Sequence, residues 1–230
     1  MNRIASWLVL LSFLTVETVP AQEPAAWHAT GTRGAVAAGG QGAVDAGIRV
    51  LREGGNAADA AAATILALAV TDATAFCFGG EAPILVYDAK RNAVEVVAGQ
   101  GAALRLATRD HFAQMEGGIP ARGVEPAAVP ATLDAVVVLL DRFGTKTFSE
   151  VAGPMLELLD RGDKDWHPDL ARTIRRLIDA EKAAIGDRRR GLRLVADYFY
   201  RGPIAQEIDA WCRENGGLIR YVRIRQELGR

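Results

Sequence analysis

The spacing of hydrophobic and polar positions predicts a mostly helical chain with a few short strands. Apolar residues three or four positions apart, such as Val44, Ile48 and Leu51, indicate amphipathic helices. The predicted helices cover residues 43–52, 57–70, 131–143, 147 to about 162, 167 through 199, and about 204–215. Apolar runs predict strands at 34–38, 83–87 and 93–98, the last two joined by a turn and buried in a covered sheet. This order is typical of a layered α/β or α+β domain.

Glycine and polar residues mark the corner between the first two helices. Gly54 and Gly55 end the first helix, because glycine tolerates the left-handed conformation of a C-cap. Asn56 is a favourable N-cap for the second helix, and Asp59 lies near the positive end of that helix. The second helix is rich in alanine and apolar on nearly every side, which predicts burial between layers.

The first residues predict a signal peptide. Asn2 and Arg3 precede an apolar run at 4–16, and Val19 and Ala21 suit a signal-peptidase cut after Ala21. The apolar run is short for a bilayer span, although an uncleaved membrane anchor is the alternative. We therefore expect a periplasmic or secreted protein that has no membrane attachment once the leader is removed.

Composition excludes several classes of function. The chain has 230 residues, half of them hydrophobic, and a net charge of −1, which is globular and gives no reason to expect nucleic acid. Cys77 and Cys212 do not make a disulfide framework, and each is interpreted as a small buried hydrophobic residue. His28, His111 and His167 lack zinc-ligand spacing and are interpreted as surface or capping residues. We expect no metal and no cofactor.

Common catalytic motifs do not occur. A G-x-G-x-x-G pattern starting at Gly40 would need a third glycine where Asp45 stands, and no G-K-[ST] occurs. No G-x-S-x-G nucleophile elbow is present either. The sequence therefore does not support a nucleotide-binding protein or a serine hydrolase of that type.

One constellation carries a resemblance to a known family. Residues 46–61 read AGIRVLREGGNAADAA and contain Gly54, Gly55, Asn56 and Asp59. This segment resembles the helix–GGNA–x–DAA–helix signature of the gamma-glutamyltransferase family. The later motifs of that family follow in order: Gly79 and Gly80, ILVYDAK at 84–90, VPA at 129–131, FG at 143–144, FYRGPIA at 199–205 and GGL at 216–218. The resemblance covers roughly residues 34–221.

The resemblance implies the large-subunit side of an αββα N-terminal-nucleophile hydrolase sandwich. In this family a precursor cuts itself into two subunits, and the new N-terminal Thr of the small subunit attacks a gamma-glutamyl carbonyl. Backbone N–H groups stabilise the oxyanion, and the acyl group passes to water or to an amino acid or peptide. The implied substrate is glutathione or a related amide, and the implied partner is a small subunit.

The chain departs from the family pattern in three places. No Thr follows Thr173, so the Thr-Thr-His type nucleophile run is missing, and we expect no catalytic residue on this chain. The family arginine that grips the substrate α-carboxylate aligns with Gln100, our candidate substrate-binding residue, which cannot form a charged bidentate pair. Residues 222–230 no longer fit the family pattern. An altered reading frame or a truncated gene would explain this divergent end.

The expected organisation is therefore a signal peptide at 1–21, a gamma-glutamyltransferase-like N-terminal region at 22–221 and a divergent tail at 222–230. Without its other half, the alanine-rich helix would keep an uncovered apolar face, so we expect the chain alone to be inactive and unstable or aggregating. Two other functions stay open. One is a non-catalytic large-subunit-like partner or pseudoenzyme, and the other is a periplasmic small-molecule binding module that uses the loops at 39–42 and 79–80.

Overall fold

The computed structural model describes residues 30–221, which form eight helices and one two-stranded sheet. The elements are α1 Gln41–Arg52, α2 Ala57–Thr71, β1 Ile84–Asp88, β2 Ala93–Val97, α3 Arg109–Ala113, α4 Thr132–Phe143, α5 Phe148–Arg161, α6 His167–Lys182, α7 Arg188–Tyr200 and α8 Pro203–Glu214. Contacts divide the chain into two units, residues 1–32 and 33–230, and all of these elements belong to the second. The predicted signal peptide and the tail at 222–230 lie outside the described residues.

The corner between α1 and α2 forms as its sequence predicts. Gly54 adopts a φ of 84°, the left-handed conformation that ends α1. The Asn56 side chain accepts hydrogen bonds from the backbone N–H groups of Ala58 (2.9 Å) and Asp59 (3.1 Å). The Asp59 carboxylate in turn accepts from the Asn56 N–H at 2.9 Å, which completes a capping box.

Helix α2 lies at the centre of the helical layer and packs against α1, α4 and α5. Its small side chains allow this close approach, and most of its length is buried. The row formed by Ala61, Ile65 and Leu68 is only half-buried. The predicted burial is thus confirmed for most sides of α2. The apolar face that was expected to stay uncovered is limited to this half-buried row.

The remaining helices add a core of large side chains. Helix α5 packs on α6, α6 on α7, and α7 on both α4 and α8. The largest fully buried side chains include Tyr200, Phe148, Leu66, Leu133, Met155 and Ile174. These contacts join residues far apart in sequence into one hydrophobic cluster.

The two strands form an antiparallel hairpin with one covered face. Ile84 pairs with Val97 and Asp88 with Ala93. Ile84 and Val97 face inward, where Val97 packs with Ala82 and Ala135. The outward positions are apolar and exposed: Leu85 is 75% exposed, Tyr87 62%, Val94 63% and Val96 61%. The prediction of a covered sheet is therefore wrong for the described residues, because the helices cover only one side of the hairpin.

Two other predictions about elements were wrong. Residues 34–38 do not form a strand, since no described strand lies beside them and a strand needs a ladder of hydrogen bonds to a neighbour. The helical periodicity from 167 to 199 spans two helices, because the backbone turns at Ile185 and Gly186, both with positive φ. Asp187 then caps α7, accepting from the Arg190 N–H at 2.9 Å.

The burial of the cysteine and histidine side chains differs in part from what the sequence predicts. Both cysteines are free thiols; Cys212 is buried as predicted, but Cys77 is exposed. His167 is buried at the start of α6, where its Nδ1 accepts from the Lys164 N–H at 3.4 Å in the loop before the helix. It is therefore neither a surface residue nor a cap of α6, which has no side-chain cap. His111 is half-buried on α3, and His28 lies outside the described residues.

Candidate substrate cleft

The GGNA signature joins two corners of the fold. Asp59 is completely buried, and its carboxylate accepts hydrogen bonds from the N–H groups of Thr145 (2.8 Å) and Lys146 (3.0 Å) and from the Thr145 hydroxyl (2.8 Å). The Asn56 side-chain amide donates to the Phe143 carbonyl oxygen at 2.7 Å. These bonds fasten the α1–α2 corner to the turn between α4 and α5. The signature therefore has a structural role in the described part of the chain.

The environment of Asp59 also sets its ionisation. Burial alone would raise the pKa of this carboxyl, but hydrogen bonds from Lys146, Asn56 and Thr145 outweigh burial, so the pKa is lowered. The carboxylate leaves no room for a side chain opposite, because a Cβ at position 144 would lie 2.6 Å from Asp59 Oδ1. Gly144 is thus part of the same arrangement, since a close approach requires glycine there.

The second glycine pair of the family pattern caps α4. The Gly80 carbonyl oxygen accepts from the N–H groups of Ala131 (2.9 Å) and Thr132 (3.0 Å), where α4 begins. Gly79 is exposed and has open space where a side chain would be. Gly80 therefore positions the start of α4, and Gly79 makes neither of these contacts.

Gln100 lies on a tightly held segment that follows β2. A Cβ at Gly99, whose φ is 54°, would come within 2.0 Å of the Ala82 carbonyl oxygen, and one at Gly101 within 2.1 Å of the Val129 oxygen. Close backbone contacts on both sides thus fix the segment and leave Gln100 exposed between them. Gln100 lines a cleft of about 580 Å³, which we call the Gln100 cleft.

One face of α4 forms the opposite wall of the Gln100 cleft. Asp134, Val138 and Arg142 line it, spaced four residues apart so that they share that face. The Arg142 guanidinium donates to the Glu95 carboxylate, which also accepts from Arg91. The guanidinium carbon of Arg142 lies 5.2 Å from the centroid of the Phe143 ring.

Tyr200 fixes the start of this wall from behind. Its side chain is fully buried, and its hydroxyl donates to the Pro130 carbonyl oxygen at 2.9 Å. The Tyr200 hydroxyl oxygen in turn accepts a hydrogen bond from the backbone N–H of Asp134 at 3.0 Å. Burial raises the pKa of this phenol, so Tyr200 stays neutral and acts as a structural donor.

The structure separates the predicted site residues into two groups. Gln100 lies in the cleft, whereas Gly54, Gly55, Asn56 and Asp59 do not line it. Sequence reasoning missed Arg142, and the only local signal was its spacing of four and eight residues from Val138 and Asp134.

Other sites have less support in the described residues. Gly79 lines a cavity of about 780 Å³ that residues 39–42 do not reach, so the two loops of the proposed binding module do not share it. Within residues 30–221, no three His, Cys, Asp or Glu side chains are grouped to hold a metal ion. None of the helices described combines the length and hydropathy that crossing a bilayer requires.

Comparisons with known proteins agree on one family. The gamma-glutamyltranspeptidase family model matches residues 43–177. The chain is 29% identical over 204 residues to the glutathione hydrolase proenzyme of Bacillus subtilis, covering 76% of this chain and 35% of that protein. It is 28% identical over 233 residues to the acylase ACY 1 proenzyme of Pseudomonas sp. strain V22, covering 83% of this chain and 40% of that protein. The crystal structure of Helicobacter pylori gamma-glutamyltranspeptidase superposes with a TM-score of 0.73 at 24% identity, covering 86% of this chain and 65% of that chain.

The fold is thus the large-subunit side of an N-terminal-nucleophile hydrolase sandwich, as the sequence predicts. The chain belongs to the gamma-glutamyltranspeptidase family. It spans about a third of the length of the glutathione hydrolase proenzymes it matches.

Proposed function

We propose that this chain forms the large-subunit side of an amidase that hydrolyses or transfers the acyl group of gamma-glutamyl or related amides. The nucleophile would come from the part of the family fold that this chain does not match. The observation that carries the proposal is the Gln100 cleft. One wall of this cleft is formed by the segment after β2, which close backbone contacts at Gly99 and Gly101 hold in place. Because its residues bind and orient but include no nucleophile, their role would be to hold substrate.

The exposed side of the hairpin supports docking of the rest of the fold. Leu85, Tyr87, Val94 and Val96 form one contiguous apolar face, which soluble proteins seldom leave open. Burial of each such side chain contributes about 1.5–3 kcal/mol, so covering all of them would stabilise an assembled enzyme considerably. Residues 34–38, which pair with none of the described strands, offer a further segment for an incoming strand. We infer that a small-subunit portion covers this face.

The substrate would differ from plain glutathione. Gln100 offers neutral hydrogen bonds where the family arginine would bind a carboxylate, and a hydrogen bond to a charged group is worth about twice a neutral one. The matched relatives are named both as glutathione hydrolases and as an acylase, so both kinds of amide are candidates.

A chimera tests this proposal. Residues 30–221 would replace the matching region of the Bacillus subtilis glutathione hydrolase proenzyme. We expect self-cleavage into two subunits and slow hydrolysis of gamma-glutamyl-p-nitroanilide, with a faster rate when the chimera carries Gln100→Arg. A chimera that matures but hydrolyses no amide would favour the non-catalytic partner. A soluble, folded chimera that never self-cleaves would contradict the proposal.

We also propose export by the leader at residues 1–21. The support is the sequence pattern of a short positive start, an apolar run and small residues before the cut. Expression of the full chain in a Gram-negative host should yield a periplasmic protein whose intact mass corresponds to a start at Gln22. A cytoplasmic product that keeps Met1 would refute export.

A further inference from the structure

A second cavity adjoins the Gln100 cleft along the same two backbone segments. Residues 100–104 and 126–130 lie side by side, where the Val129 N–H donates to the Ala102 carbonyl oxygen at 3.4 Å. One half of this pair lines the Gln100 cleft, and the other half lines a separate cavity of about 560 Å³, which we call the Phe112 cavity. Gly101 lines both, so a ligand in the cleft can extend into the Phe112 cavity.

The lining of the Phe112 cavity is almost entirely apolar. Leu104 and Phe112 are buried members of the hydrophobic core and form its inner side, while Ile119 lines its outer side and is 65% exposed. Arg109 is the one charged residue among the described residues that line it, and it is exposed. A cavity of this size with a mostly apolar lining is typical of a small-molecule site.

This lining favours an uncharged acyl group. A gamma-glutamyl group carries an ammonium and a carboxylate, and burying either of them against apolar side chains costs free energy unless it is paired. Gln100, one residue before the junction at Gly101, offers only neutral hydrogen bonds. An aliphatic chain would instead remove its own apolar surface from water together with that of the side chains that it contacts.

We propose that the Phe112 cavity holds an aliphatic acyl group of the substrate while Gln100 binds the polar amide. This inference rests on the proposed function and narrows its substrate class. The substrate is an amide of an uncharged, medium-length aliphatic acid rather than a gamma-glutamyl amide. Burial of the acyl chain contributes the affinity, and the hydrogen bonds of Gln100 orient the amide.

Binding by the full chain tests this without any turnover. The probes are acetyl-, butyryl- and hexanoyl-p-nitroanilide, which differ only in the length of the acyl chain. Each methylene that becomes buried should tighten binding about fourfold, so the hexanoyl probe should bind at least about tenfold more tightly than the acetyl probe. Gamma-glutamyl-p-nitroanilide should bind more weakly than the hexanoyl probe.

Isoleucine methyl groups report where the probe binds. In NMR titrations of the methyl-labelled chain, the Ile119 methyl resonance should shift with the hexanoyl probe. The Ile185 methyl resonance should not shift, because Ile185 is 91% exposed and lines neither cavity. Equal shifts of the two resonances would indicate non-specific adsorption and would overturn the proposal.

Matched variants assign the effect to this cavity. Ala103→Trp places a large ring at an exposed position that lines the cavity and should abolish the dependence on chain length. Ala183→Trp, at an exposed position away from both cavities, should leave that dependence unchanged. Ile119→Asp should weaken binding of the hexanoyl probe about tenfold, and Ile185→Asp should not. Leu85→Thr should also leave binding unchanged, because the exposed hairpin residue Leu85 lines neither cavity.

The binding readout separates this inference from the proposed function. The inference is overturned if affinity does not rise with acyl length, if Ala103→Trp retains the full dependence, or if the gamma-glutamyl probe binds most tightly. A chimera that never self-cleaves would contradict the proposed function and leave a positive binding result standing. A chimera that hydrolyses amides would not rescue a failed binding result.

Discussion

At the residue scale, Asp59 explains why the family signature contains an aspartate. Its two carboxylate oxygens accept four hydrogen bonds, one from the nearby Asn56 N–H and three from Thr145 and Lys146. Thr145 and Lys146 lie 86 and 87 positions from Asp59 in the sequence. A buried carboxylate is tolerated there because donors surround it. The sequence predicted the local half, the bond to the Asn56 N–H, from the capping-box spacing. It could not predict the distant half, which depends on how α4 and α5 pack.

Replacing Asp59 with Asn should destabilise the fold. One acceptor oxygen becomes an NH₂ group that faces backbone donors, so we expect a loss of about 2–3 kcal/mol in the free energy of unfolding. Urea denaturation followed by circular dichroism measures it. Asp45→Asn is the control, since Asp45 is exposed and accepts a hydrogen bond from the neighbouring Gln41 side chain, and it should change stability by less than about 0.5 kcal/mol. Equal losses in the two variants would refute this role.

The lowered pKa of Asp59 predicts a pH dependence with a definite sign. A carboxyl whose pKa is lower in the folded state stabilises fully above its unfolded pKa of about 4, and this contribution is lost as pH falls through the folded pKa. The stability difference between the unaltered chain and Asp59→Asn should therefore shrink below about pH 4. Urea midpoints at neutral and acidic pH test this, and a difference that stays constant would count against it.

At the element scale, contacts between helices position the walls of the Gln100 cleft. Helix α7 holds the start of α4 through Tyr200, and the Gly80 loop caps the same end. The helix boundaries were largely predictable, because N-caps and C-terminal glycines are local signals. The exposure of one hairpin face was not, because an apolar run does not tell which side a neighbouring layer covers. Arg142 was missed for a similar reason: its partner Glu95 lies 47 positions away.

Removing the Tyr200 hydroxyl should loosen the start of α4. Tyr200→Phe leaves the Asp134 N–H and the Pro130 carbonyl without this partner, so we expect about 1–2 kcal/mol of lost stability. The exposed Tyr87, whose hydroxyl donates to Asn92, provides the control Tyr87→Phe, with little change. Thermal unfolding of both variants distinguishes the two sites. An unaltered midpoint for Tyr200→Phe would show that the hydroxyl has no such role.

The exposed hairpin face should drive self-association of the chain. The double change Val94→Thr and Val96→Thr keeps β-branched side chains but makes the face more polar. We expect less self-association in sedimentation velocity and a change in unfolding free energy within about 0.5 kcal/mol. Val97→Thr, on the buried face, should destabilise the fold and leave association through the outer face intact. Unchanged association in the double variant would exclude this face as the cause.

At the scale of the whole molecule, the helices and the hairpin differ in how much of their surface is covered. The helices bury large side chains such as Tyr200 and Phe148 among themselves, while the hairpin presents an apolar face to the outside. That asymmetry fits a layer of a larger sandwich, which is the family assignment. The expectation that the chain alone is unstable or aggregates stays a prediction, and the hairpin face is its physical basis.

The most direct test is hydrolysis of gamma-glutamyl-p-nitroanilide by the purified 230-residue chain alone. The matured Bacillus subtilis glutathione hydrolase serves as the positive control. Our account predicts release of p-nitroaniline no faster than in buffer, because the nucleophile would come from the part of the family fold that this chain does not match. Turnover that co-purifies with the chain and is lost in an Arg142→Gln or Gln100→Ala variant would contradict it.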